Sequence, residues 1–135
     1  MKPLTIAPDA EHVTVDYLTP ALAARGEDVT VGVNIPSAWD TSTKPHVQVA
    51  LDGTPDVQYP ILSVATVRIT AWALSTTTAK ALVSLAMGLM LSHPGSTTVA
   101  SVRPLTGALP TKDPDTKAQL ASVTVRVNLR MSVPV

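Results

Sequence analysis

The chain contains no cysteine and no phenylalanine, and only two tryptophans and two tyrosines among its 135 residues. The first absence excludes a disulfide framework and thiolate chemistry, and it fits a reducing compartment. The second excludes a ligand site that stacks several aromatic rings on its substrate. With 45% of residues apolar, the core must be aliphatic, filled by β-branched side chains in strands and by Ala, Leu and Met in a helix. No apolar run reaches the ~20 residues that span a bilayer, and the longest, residues 81–91, is interrupted by Ser84 and Gly88. The Met1-Lys-Pro-Leu4 start lacks the apolar stretch of a signal peptide. A soluble single domain over 1–135 is expected, long enough to bury roughly two-thirds of its unfolded surface.

Net charge is also absent, but the balance is uneven. Residues 1–60 hold three Lys/Arg and eight Asp/Glu, whereas residues 61–135 hold seven and two. If the two halves reach different surfaces, such a dipolar protein can stack against copies or partners of opposite potential; if they interleave in one sheet, the charges are an ordinary solvated surface.

What is present begins with residues 64–91, where the hydrophobic period changes from two to about 3.6. Val67, Ile69, Ala71 and Ala73 alternate with Thr66, Arg68, Thr70 and Trp72, as a half-buried strand requires. Ser75 or Thr76 then caps a helix whose apolar face carries Ala79, Leu82, Val83, Ala86, Met87, Met90 and Leu91. Leu85 and Leu89 widen that face, so cover is expected from the sheet and from either a second helix or a neighbouring subunit. His93, Pro94 and Gly95 stop it.

Elsewhere, residues 9–25 read as a first helix capped by Asp9, with Pro20 expected to kink or divide it. Strands are expected over 29–35 and 46–52, with Val47, Val49 and Leu51 inward, and Asp52-Gly53 then reads as a turn. A weak strand over 97–103 leads into a long loop, 104–117, that holds three prolines and a glycine. The closing strand runs to Val133, with Thr124, Arg126, Asn128 and Arg130 on its polar face. Together these predict an α/β (α+β) domain: a four- to five-stranded mixed or mainly antiparallel sheet with two helices on one face.

Chemistry is hard to find. His12, His46 and His93 have no second ligand at metal spacing, so no metal is expected. There is no G-x-S-x-G elbow, no P-loop and no dinucleotide fingerprint, so neither a catalytic site nor a cofactor is expected. Glu27-Asp28 and Asp113/Asp115 sit at turns, where carboxylates are ordinary solvated residues. The remaining candidates are for interaction. If their strands are neighbours, Arg68, Trp72, Arg126 and Arg130 form a basic face with one exposed aromatic anchor; otherwise a helix or loop covers Trp72 and the arginines are plain surface. Seven basic residues with so few aromatics do not suit specific nucleic-acid reading.

The order of these pieces resembles a known family. A first helix, Val31-Gly-Val-Asn-Ile-Pro36, the strand and turn Pro45-His-Val-Gln-Val-Ala-Leu-Asp-Gly53, the strand Val67-Arg-Ile-Thr-Ala-Trp-Ala73 running into an Ala-rich helix, Lys112-Asp-Pro-Asp-Thr116, and Val125-Arg-Val-Asn-Leu-Arg130 are similar in layout to the tail terminator proteins of long-tailed bacteriophages, especially those of actinobacterial hosts. The likeness spans nearly the whole chain. It implies a structural virion protein without enzymatic activity, a homo-oligomeric, hexameric ring that caps the tail tube. Its partners would be the tail tube protein and the head-tail connector protein, with DNA only as passing cargo and no membrane. On that reading Arg68, Trp72 and the loop residues Lys112, Asp113, Asp115 and Lys117 contribute to the contacts. Another neck or head-completion protein of the virion is the nearest alternative, and a small-molecule-binding or enzymatic α/β domain is the alternative of a different class.

Overall fold

Ser75 marks where extended chain gives way to helix: its Oγ accepts the backbone N–H of Thr78 at 3.2 Å, satisfying one of the donors that a helix start leaves unpaired. The computed structural model describes residues 3–40, 42–112 and 118–134. In chain order it contains α1 (Ala10–Ala24), β1 (Thr30–Gly32), β2 (His46–Gln58), β3 (Leu62–Ala73), α2 (Thr76–Leu91), β4 (Val99–Lys112) and β5 (Gln119–Arg130). The five strands form one mixed sheet in the order β1-β2-β3-β5-β4, with β1 parallel to β2 and every other pairing antiparallel.

The alternation in β3 sets the layers. Val67, Ile69, Ala71 and Ala73 are all within 1% of complete burial, and Val123, Val125, Val127 and Leu129 of β5 continue the same face. Both helices pack on that face, α1 over β1, β2 and β3, and α2 over β3, β5 and β4. Leu18 and Leu22 of α1 meet Ala79, Leu82, Val83, Ala86 and Met90 of α2 in a core that is aliphatic throughout. Leu85 and Leu89 pack partly against this core, so the wide apolar surface of α2 is covered within the chain to that extent. Leu91, expected on the buried face, is exposed at the helix end.

Several boundaries differ from expectation. Pro20 does not divide α1, which runs unbroken behind its Asp9 cap. Pro20 and Asp16 are both exposed, so the carbonyl that loses its i+4 donor faces water and the cost stays small. The first strand is only three residues long, because β1 pairs with β2 only from Thr30 to Gly32. Beyond that point β2 becomes an edge, and Glu11 of α1 closes part of it by accepting the Leu51 N–H at 2.9 Å. Leu51, expected inward, is therefore exposed.

Asp52-Gly53 is not a turn. The register slips between Leu51 and Gly53 and again before Asp56, and Gly53 adopts φ 147°, a region that favours glycine, so β2 continues through a bulge. The reversal comes instead at Tyr59 and Pro60, joined by a cis peptide bond, with Ile61 N–H donating to Gln58 O at 2.8 Å. The proline-rich stretch read as a loop is largely strand, since β4 extends to Lys112. It is the outermost strand of the sheet, where a proline can turn its missing donor outward without breaking the ladder. The last strand ends at Arg130, and Val133 is exposed.

Candidate functional site

The face of the sheet away from the helices follows from the register. On β3 and β5, Thr66 stands opposite Arg126, Arg68 opposite Thr124, Thr70 opposite Ser122 and Trp72 opposite Leu120. β4 adds Ser101, Arg103, Thr106 and Leu109, and β2 adds Gln48 and Ala50. The strands carrying Arg68, Trp72, Arg126 and Arg130 are thus neighbours, as a shared face requires. The surface is mostly small hydroxyl side chains, with Thr70 Oγ1 and Ser122 Oγ 3.0 Å apart, into which four arginines are set.

Those residues have different roles. Trp72 is not an exposed anchor. The connection over 33–45 folds back and places the buried Trp39 edge-on against it, ring centres 5.7 Å apart, while Trp72 Nε1 donates to Gln48 Oε1 at 3.2 Å. Trp39 is itself held by donation from Nε1 to the Lys44 carbonyl at 3.0 Å. A loop therefore lies against Trp72 and leaves it half-buried rather than fully exposed. Arg68 reaches Asp52 at 3.5 Å in an exposed pair, the kind that contributes about 0–1 kcal/mol.

Arg130 ties down the chain entering β4, its Nε donating to Ser96 O at 3.1 Å and its backbone N–H to Thr98 O at 2.7 Å. Arg126 stands directly opposite Arg103, and neither belongs to an ion pair among the described residues. Lys112 is exposed at the end of β4, and Asp113, Asp115 and Lys117 lie outside the described residues.

Two depressions open on this face. One of about 250 Å³ is lined by Gln48, Ala50, Arg68, Thr70, Trp72, Leu120 and Ser122. A broader one of about 520 Å³ is lined by Asp56, Gln58, Val64, Arg103, Arg126 and Asn128. A third, of about 260 Å³, lies on the helix side between Glu27, Val29, Pro45 and the first turns of α2. No histidine lines any of these, and in the third Glu27 shares the lining with the hydroxyl residues Thr77 and Thr78.

The histidines are separated. His12 contacts Asp16 at 3.1 Å on the surface of α1. His93 packs its ring on Tyr17 at 4.3 Å and accepts the Gly95 N–H at 2.9 Å, and partial burial lowers its pKa. His46 is buried beside Trp72 in the sheet, its Nδ1 2.6 Å from Thr30 Oγ1 and its Nε2 without a hydrogen-bond partner among the described residues. Burial pushes its pKa below the ordinary value, opposed by the nearby Asn34 backbone. Among the described residues no group of three His, Asp or Glu is placed to hold a metal, and no helix is long and apolar enough to cross a membrane.

Sequence reasoning missed Trp39, His46 and Arg103 as structural determinants. A lone tryptophan in a polar, proline-rich connection was the available signal for the first. For Arg103, the signal was its two-residue step from Ser101 within the weak strand expected over 97–103, whose pairing partner the sequence does not show. What the arrangement can do chemically is recognise another surface, through guanidinium forks, hydroxyls and apolar patches. No protein-family model matches the chain, and no curated protein matches it as a relative.

Proposed function

We propose that this chain is a structural protein that assembles into a ring, and that the ring caps a bacteriophage tail tube, ends its polymerisation and joins it to the head connector. The observation that supports the reading is the order of the strands. The acidic portion of the chain supplies α1, β1 and β2, and the basic portion supplies β3, β5 and β4, so charges that could have interleaved are sorted to opposite sides of one sheet. Glu27 and Asp28 lie exposed just before the β1 edge, Asp28 beside Lys44 at 3.3 Å; Lys112 lies exposed at the end of the β4 edge. Sides of opposite sign on one molecule favour a heterologous contact, in which one copy's basic side meets the next copy's acidic side, and such contacts close into rings.

Native mass spectrometry at low and high salt tests the assembly, with the double variant Glu27→Lys/Asp28→Lys as the control. A closed oligomer that dissociates in the variant and re-forms when the variant is mixed with Lys112→Glu supports the reading. A monomer at high protein concentration and low salt, with or without tube protein, opposes it. Electron microscopy of tails assembled without the protein then separates a terminator from another neck protein: abnormally long tails indicate the terminator.

A further inference from the structure

The charged edges leave unused the end of the molecule where the β2–β3 hairpin turns. Both ends of the described chain arrive there. Tyr59 Oη donates to Pro3 O at 2.7 Å and accepts the Thr5 N–H at 3.1 Å, Thr5 Oγ1 donates to Pro60 O at 3.1 Å, Ile6 and Ser132 form a two-way backbone bridge, and Met131 N–H donates to Ile61 O at 2.9 Å. These bonds fix an apolar surface. Leu4, Ile6, Val57, Tyr59, Ile61 and Val133 are all exposed, Leu4, Ile61 and Val133 by about two-thirds. They are half of the large apolar side chains that the described residues expose, gathered at one end and held by hydrogen bonds. Scattered apolar residues need no explanation, whereas an ordered cluster marks a contact surface.

The 520 Å³ depression lies at the same end of the sheet, since Gln58 in its wall immediately precedes the Tyr59–Pro60 reversal, whereas Val57, between Asp56 and Gln58, points to the opposite face. Within it Arg103 and Arg126 face each other across β4 and β5. Like charges directly opposite in a sheet repel, and here no carboxylate among the described residues comes close enough to pair with either. Two guanidinium forks against the single Asp56 leave room for one more negative charge, and a carboxylate matches the fork geometry.

We propose that this end is a docking surface for a protein partner that presents a carboxylate beside apolar side chains, the carboxylate entering between Arg103 and Arg126 and the apolar groups covering Ile61, Leu4 and Val133. A second copy of the chain fits poorly. On its acidic side the exposed large apolar side chains of β1, β2 and their connection stand singly, Val33 after Glu27 and Asp28, and Leu51 beside Asp52, whose carboxylate is held by Arg68. The proposal deepens the ring reading and rests on it only in assigning the lateral edges to copies, which leaves this end to a different protein.

The test uses a fluorescein-labelled peptide of alternating leucine and glutamate, followed by anisotropy. Controls replace every glutamate with glutamine, or every leucine with serine. Both controls are expected to bind roughly tenfold or more weakly, as are the protein variants Arg126→Gln and Ile61→Ser, with the native mass of each variant unchanged. The proposal is overturned by any of three results: no saturable binding of the leucine/glutamate peptide up to millimolar concentration, equal binding by the serine control, or loss of self-association in Ile61→Ser, which would make the occupant a second copy. A chain that is monomeric under all conditions yet binds the peptide as described would sink the ring reading and leave this one standing.

Discussion

The two faces of β3 were made by one stretch of chain and meet opposite demands. On one, Val67, Ile69, Ala71 and Ala73 are sealed beneath two helices; on the other, Thr66, Arg68 and Trp72 retain access to solvent and Thr70 is nearly closed off by its neighbours. The sealed face carries the stability, because each side chain there has been moved from water into a packed aliphatic layer. The open face is free to be chosen for recognition, because little of the fold depends on it. That difference is why the arginines, hydroxyls and unpaired guanidinium groups collect on one side.

The largest effect expected is on the sealed side. Ile69→Ala removes a fully buried branched side chain and should cost about 2–5 kcal/mol, seen as a lower urea midpoint with unchanged slope. Thr66→Ala, three positions from it and so on the opposite face of the strand, should change stability by about 0.5 kcal/mol or less. Equal losses from the two variants would break the comparison.

A smaller effect is expected where the open face is covered. His46 belongs to that face by register, opposite Trp72, but the 33–45 connection and Thr30 enclose it. Its pKa is lowered by burial, so below the ordinary value of 6.5 the unfolded chain takes up a proton that the folded chain resists. Stability from this residue is therefore fully present above pH 6.5 and is lost as the pH falls through the interval down to the folded value. Urea titrations between pH 7.5 and 5 should show this decline, and His46→Gln should flatten it. An unchanged slope in the variant would show that the corner is open to water and that the cover over Trp72 is loose.

The same contrast explains what could be read from the sequence. A strand with one sealed face declares itself by alternation, as 64–73 and 119–130 do, and caps such as Asp9 and Ser75 declare themselves because unpaired helix donors need a nearby oxygen. Elements without a sealed face leave no such mark. Only the start of β4 is well covered, so the sequence shows a weak strand over 97–103, while Pro104, Gly107 and Pro110 make its exposed continuation look like a loop. Asp52-Gly53 carries a hairpin signal, yet the partner strand runs past it, and only the pairing with β3 distinguishes a bulge from a turn. Of the candidate interaction residues, Arg68 and Arg126 declare themselves on polar faces through two separate alternations, whereas the adjacency of their strands comes only from the pairing of β3 with β5. The loss of Trp72 as an anchor was not, because it depends on Trp39, a residue 33 positions earlier in an irregular segment.

Ser75→Ala tests the junction between the two periods. The substitution removes the acceptor for Thr78 N–H, and the helix it starts covers β3, β5 and β4, so a loss of about 1 kcal/mol is expected. Ser75→Asp should retain that stability, because a carboxylate also caps and interacts favourably with the helix N-terminus. A loss in both variants would mean that the hydroxyl contact with Thr78 Oγ1, at 2.9 Å, matters more than the cap.

The smallest effect belongs to the open face itself. Asp52 and Arg68 form its one ion pair among the described residues, at 3.5 Å, with both side chains in contact with water. Solvent screens such a pair and each side chain loses rotamer freedom to form it, so Asp52→Asn should shift stability by about 0.5 kcal/mol or less, and less still in high salt. Its effect on assembly should be larger than its effect on folding, because the substitution releases Arg68 and makes the face more basic without touching the sealed layer. Matched urea and native-mass measurements on Asp52→Asn separate the two quantities. If folding moves and assembly does not, the open face is holding up the fold after all, and the division of labour between the two sides of β3 fails.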